Sequence, residues 1–341
     1  ATIPEGELAR ERKVVQEEIN RANDNPQRQL VLTLSEMLFE GHGYAYDTLG
    51  PKSLIGSVPR ERILNYYHHW YQPQNIQTVI VGDVNTDDVI QQVQDYFQPT
   101  HFPEKPETSA QNDDNTYIAP THSQAKAPST IKTRVIEDEN ITSAYLAIAF
   151  MGPSIEERQD TYALDTAMSA LGSGQSSRLF QRLKEEKNLV KSINGGNWTQ
   201  KYAGLLYTTA ELKPENLEPA KAEIIRVIQE LKANGITTDE LEKSKTQAIK
   251  DFVFLNESTE GLASTIGYNV TIGELSDYTD YVSHMQNVTL ADAQQALNKY
   301  LDFNHAVLVE VVPKGTFAKF HFFFSLLLTL QHLPVDVTFL H

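Results

Sequence analysis

Tyr67-His68-His69-Trp70-Tyr71-Gln72-Pro73-Gln74-Asn75-Ile76-Gln77-Thr78-Val79-Ile80-Val81-Gly82 is the stretch on which the fold turns. The chain enters it through Ser57-Val58-Pro59-Arg60, a helix opening, and then spaces Ile63, Tyr66, Tyr67 and Trp70 as one helical face. Pro73 stops that helix, and Thr78 to Gly82 reads as a short buried strand closed by glycine. The same order of helix, turn and strand recurs late in the chain. Val58, Tyr71, Asn75 and Ile80 are matched by Val288, Tyr300, Asn304 and Val309, at intervals that differ by one residue. Recurrence of one supersecondary unit predicts internal duplication and a shared fold for the two halves.

On the N-terminal side, Gly6 to Asn23 carries Leu8, Val15, Ile19 and Ala22 along one helical stripe until Asn25-Pro26 interrupts it. A second helix, Gln27 to Glu40, presents Leu30, Leu34 and Leu38 before the turn Gly41-His42-Gly43. On the other side a helix is predicted over Thr86 to Phe97. Residues 98–132 are rich in Pro, Thr, Ser, Asn and Asp without an apolar period, which is the composition of a linker. Strands then follow at Thr133–Ile136 and Ala144–Phe150, and a helix around Tyr162–Leu171. Gly172-Ser173-Gly174 turns the chain into a helix over Ser176–Lys184, and long helices are predicted near Pro214–Asn234 and Thr238–Leu255. A helix over Leu290–Leu301 and a strand over Ala306–Val312 complete the pattern.

With 341 residues, room for two domains is expected. The predicted organisation is a partial N-terminal domain at 1–97, a linker at 98–132, a C-terminal domain at 133–313 and an atypical tail at 314–341. The apolar run Phe320 to Leu328 in that tail is too short to span a bilayer, and reads as a packed or non-native end. The predicted class is α+β: two related domains, each an antiparallel sheet with helices packed mainly on one face.

Composition excludes several functions. Forty-five acidic residues against 29 basic ones leave a net charge of −16, which repels nucleic acid and anionic lipid. No nucleic-acid partner and no membrane span are expected. The chain has no cysteine, so disulfides, thiolate metal sites and a cysteine nucleophile are all excluded. Any metal must be held by His, Asp or Glu.

Glu11 and Glu18 lie seven residues apart, two helical turns, and therefore on one face of the first helix. That face is about 40 to 60° from the apolar stripe, which places both carboxylates at the edge of a packed surface. On spacing alone such a pair is ordinarily a solvated one. His68 and His69 are adjacent, so their side chains diverge by about 100° and cannot share a metal as residues at i and i+4 do. His42 sits in a turn, where packing and turn formation are the expected roles. Gly172-Ser173-Gly174 lacks the glycine spacing and the Lys-Ser/Thr ending of a phosphate loop.

Taken together, Glu11-Arg12-x-x-Val15-x-x-Glu18, Gly43-Tyr44, Leu49-Gly50, Tyr67-x-x-Trp70-Tyr71-x-Pro73-x-Asn75 and Val79-Ile80-Val81-Gly82-Asp83-Val84 resemble the M16 metallopeptidases, the pitrilysin and insulinase-type enzymes. Leu171-Gly172-Ser173-Gly174-Gln175-Ser176-Ser177-Arg178-Leu179-Phe180-Gln181-Arg182-Leu183 is similar to a segment of that family's inactive-domain repeat. The resemblance runs from about residue 5 to residue 313.

It implies a zinc-dependent endopeptidase that hydrolyses peptides or unfolded protein segments with a zinc-activated water. Within the family, zinc is held by His-x-x-Glu-His and a downstream glutamate, the motif glutamate serving as general base. By that match Glu18 is the metal ligand and Glu11 the supporting carboxylate. The family also holds substrate with an Arg and a Tyr. Tyr268 is the candidate in Glu257-Ser258-x-x-Gly261-Leu262-Ala263-x-x-x-Gly267-Tyr268, a segment without arginine, and Arg178 is a second candidate contact. The sequence departs from the family at the decisive point, because His-x-x-Glu-His occurs nowhere in it. The expectation is an N-terminally truncated peptidase, its Zn²⁺ site incomplete and the chain inactive alone. The alternative is a non-catalytic partner or scaffold subunit beside an M16-like partner.

Overall fold

The computed structural model describes residues 2–98, 124–316 and 336–340. Residues 99–123 of the expected linker, and 317–335 and 341 of the expected tail, lie outside the described residues. Helices α1 (Glu5–Asn23), α2 (Pro26–Leu38), α3 (Lys52–Ser57), α4 (Arg60–Trp70) and α5 (Thr86–Tyr96) precede strands β1 (Lys132–Asp138) and β2 (Ala144–Gly152). Then come α6 (Arg158–Gly172), a π-helical turn (Phe180–Glu186), β3 (Ser192–Trp198) and β4 (Gly204–Leu212). They are followed by α7 (Leu217–Asn234), α8 (Thr238–Leu255), α9 (Thr259–Ile272), α10 (Leu275–Thr279), α11 (Tyr281–Asn287) and α12 (Leu290–Tyr300), and the described chain ends with β5 (Val307–Pro313) and β6 (Asp336–Leu340). No helix among the described residues is long and apolar enough to cross a membrane.

Two compact units divide the chain. The larger comprises Asn23–Tyr46, Ser123–Phe252 and Thr279–His341. Its sheet runs β3-β4-β2-β5-β1-β6. The class is α+β, but the sheet is mixed where an antiparallel one was expected. β3, β4, β2 and β5 alternate in direction, whereas β1 lies parallel to both β5 and β6. The reason is the connection: β1 and β5 are separated by nearly all the helices of the unit, so no short hairpin constrains them to run antiparallel.

Both faces of this sheet are covered, which is why β2 and β5 read as almost continuous apolar runs. On one face α6, α7 and α12 bury Leu164, Leu171, Ile224, Ile228 and Leu297 against Leu146, Ile148 and Leu308. On the other, α2 lays Leu30, Leu34, Met37 and Leu38 over Ala147, Ala149, Val307 and Val309. Asn25 starts α2 by accepting the backbone N–H groups of Gln27 and Arg28, with Pro26 set in the first turn. Thr289 and Asp292 form a capping box at the start of α12.

The smaller unit comprises Ala1–Ala22, Asp47–His122 and Val253–Tyr278. Polar ties dominate it. Arg12 donates to the carbonyls of Gly56 and Val58, Lys52 donates to Asn20 Oδ1 at 2.7 Å, and Arg60 donates to the Ile3 carbonyl at 2.6 Å. No residue of α3, α4 or α5 is fully buried.

The repeated pattern folds the same way only in part. Each copy gives a helix followed by a 3-10 turn, at Pro73–Asn75 and at Phe303–His305. The second copy continues into β5 in the middle of the sheet. Thr78–Val81, the strand expected of the first copy, joins no ladder and leaves Ile80 49% exposed. Extended backbone becomes a strand only when a neighbouring strand takes its hydrogen bonds, and none does so among the described residues.

Candidate functional site

Glu11 and Glu18 both lie on α1, as their spacing requires, and both are exposed. The sequence places them at the edge of a packed surface. The difference follows from the helix itself, where Ile19 is the one fully buried residue and nothing described covers the carboxylate face. Arg12, beside Glu11, spends its guanidinium on backbone carbonyls of Gly56 and Val58. Among the described residues no three His, Asp or Glu side chains come close enough to hold a metal.

The histidines explain why. His68 and His69 close the last turn of α4, and the Gln72 amide donates to the His68 carbonyl at 2.6 Å. His42 performs the turn role expected of it: Nδ1 accepts from the Tyr44 backbone N–H at 3.1 Å, and its ring meets Tyr44 edge-on. His321, His332 and His341 lie outside the described residues. A zinc site of the His, His, Glu type needs two neutral imidazoles beside the carboxylate. The described residues bring neither to Glu18, so by themselves they do not fit the metal.

Arg178, just ahead of the π-helical turn, makes a bidentate pair with Glu240 of α8. Its Nε and Nη2 donate to the two carboxylate oxygens at 2.7 and 2.6 Å, and Nη2 also donates to the Gly235 carbonyl at 2.9 Å. The Glu240 hydrogen bonds raise the guanidinium's basicity further. This fork holds the start of α8, where Glu240 also accepts from Thr237, to the turn after α6. Tyr268 stands on α9 with its side chain half exposed.

Two acidic groups, one buried and one partly buried, escaped sequence reasoning. Glu310 is 2% exposed in the centre of β5 and receives Lys221 of α7 at 2.8 Å, while Lys221 also meets Glu218 at 2.7 Å. Asp165 on α6 accepts from the Asn197 amide of β3 at 2.9 Å, and burial pushes its carboxyl up to about 6. The available signal was a single acidic residue inside an apolar run, Glu310 within Val307–Val312 and Asp165 within Tyr162–Leu171.

Comparison with known proteins places this arrangement. The family described as the peptidase M16 inactive domain matches residues 57–248. A Helicobacter pylori protein named zinc protease PqqE is 24% identical over 313 residues, covering 91% of this chain and 68% of its own length. The uncharacterized zinc protease YmxG of Bacillus subtilis is 25% identical over 317 residues, covering 92% of this chain and 73% of the relative. Among solved structures, a protease from Helicobacter pylori superposes with a TM-score of 0.82 at 24% identity, over 91% of this chain and 73% of that one. A peptidase M16 inactive domain from Pseudomonas fluorescens gives 0.77 at 21% identity, over 92% and 71%.

Proposed function

Because this chain belongs to the peptidase M16 family, we propose that it is the downstream part of a two-domain, zinc-dependent endopeptidase acting on peptides or unfolded protein segments. The match over residues 57–248 carries this reading, and the names of its relatives, zinc proteases, support it. In it, Glu18 serves as one ligand of Zn²⁺ and Glu11 as the supporting carboxylate. Arg178 and Tyr268 are the proposed substrate contacts. The domain at 1–97 and that at 133–313 are proposed as related halves joined by 98–132.

The imidazoles must come from a His-x-x-Glu-His helix outside this sequence, and the chain alone is inactive. A second reading, a non-catalytic subunit alongside an M16-like partner, draws on the family description itself, which is that of the inactive domain. One experiment separates them. The chain is assayed with a fluorogenic peptide alone and after fusion to a His-x-x-Glu-His segment taken from a relative, each with and without chelator. The expected result is no cleavage alone and chelator-sensitive cleavage in the fusion, lost in Glu18→Gln. Chelator-sensitive cleavage by the chain alone overturns the proposal, and a folded but silent fusion favours the non-catalytic subunit.

A further inference from the structure

Asp165, partly buried within an otherwise buried run of α6, faces the sheet's edge strand β3. Its hydrogen bond among the described residues comes from Asn197 Nδ2, which also reaches Thr199 Oγ1 at 3.1 Å. The other end of that amide, Asn197 Oδ1, is buried and accepts from no described group. Titratable neighbours surround the pair. Tyr162 precedes Asp165 on α6, and its ring lies 5.8 Å from Tyr281 and 5.1 Å from His284, both on α11. Phe252 of α8 stacks on Tyr281 at 4.6 Å, and the charge of Asp251 beside it acts on the Tyr281 hydroxyl. His284 Nδ1 is likewise buried without a described partner. Neither α6, β3, α8 nor α11 supplies a Lys or Arg ion pair to Asp165 among the described residues.

We propose that Asp165 and Asn197 form a proton-dependent latch between α6 and edge strand β3, closed while the carboxyl keeps its proton and loosened when it ionises. An ionised carboxylate only accepts, so it leaves Asn197 Oδ1 unanswered. A protonated one supplies the missing O–H donor, and acid and amide then close on each other reciprocally. Ionisation also leaves a partly buried charge without a described cation beside it. β3 is sensitive to this because among the described residues it is hydrogen-bonded along one side only, to β4. Ile193, Gly195 and Asn197 share the face turned to α6. Ile193 packs on the apolar cluster that includes α6, and elsewhere on that face backbone meets backbone, where a Cβ on Gly172 would fall 2.5 Å from the Gly195 Cα.

The sign follows from linkage. A carboxyl whose folded pKa is raised contributes stability that is complete below its unfolded value and is lost as pH rises through about 6. Hydrogen exchange of the full chain, read by mass spectrometry and corrected for intrinsic rates, tests the latch. Opening of β3 should rise about tenfold between about pH 5 and about pH 7.5, relative to β2 and β4. The rise should vanish in Asp165→Asn and persist in His284→Asn. A flat wild-type profile, the same rise in Asp165→Asn, or its loss in His284→Asn, which would make the histidine the titrating group, overturns the latch. So does a thermal midpoint of Asp165→Asn below that of wild type at neutral pH, since removing a desolvated charge that has no cation partner should stabilise the fold.

Discussion

Lys221 and Glu310 show how single residues govern this fold. β5 contributes an apolar surface to both faces of the sheet, yet it carries a carboxylate at its centre, buried beneath α7. Desolvating both partners offsets most of the attraction between them, so the pair adds little net stability, but removing one partner leaves the other buried and uncompensated. Lys221→Met should therefore cost about 3–5 kcal/mol in denaturant unfolding. Lys221→Met combined with Glu310→Leu should recover most of that loss, and equal losses in single and double variants would refute this account. At this scale the candidate site was only partly legible. The seven-residue spacing put Glu11 and Glu18 on one helix face. Their exposure was not legible, because it depends on what packs over α1. Nor was the engagement of Arg178 with Glu240, a contact 62 positions away.

At the scale of elements, the seam between α6 and β3 is the tightest test. Gly172 ends α6 where its backbone meets that of Gly195, and a methyl group there would lie 2.5 Å from two Gly195 backbone atoms. Gly172→Ala should destabilise the chain by about 1–3 kcal/mol, seen as a lowered thermal midpoint, because backbone cannot yield as a side chain can. An unchanged midpoint would show that α6 shifts freely on the strand. The long amphipathic helices and the apolar strands β2 and β5 were readable from period and length, within a few residues at their ends. β3 was not, since Ser192-Ile193-Asn194-Gly195-Gly196-Asn197-Trp198 has two adjacent glycines and no sustained alternation. It is a strand because β4 takes its hydrogen bonds and α6 needs a surface without Cβ atoms. The helix expected over Ser176–Lys184 appears as the π-helical turn Phe180–Glu186, anchored by the buried Leu183.

Across the whole molecule, apolar burial is unevenly shared. The larger unit holds both hydrophobic clusters, whereas the smaller leaves Leu54, Ile80, Val84 and Ile90 exposed. Local opening follows burial, so limited thermolysin digestion should cut first near Ile80, Val84 and Ile90 while β2 and β5 stay intact. First cuts within β2 or β5, identified by mass, would contradict that distribution. The amino-acid sequence by itself determined the class, the family resemblance, the main helices and the lack of a His-x-x-Glu-His motif, because these rest on local period and on residue identity. Tertiary structure alone decided that β1 runs parallel to β5, and that α2 covers the far face of the sheet. It also decided that of two similar helix-turn-strand patterns only the second becomes a strand. Those outcomes depend on which distant segment supplies the facing hydrogen bonds and apolar surface, and no local pattern encodes the partner.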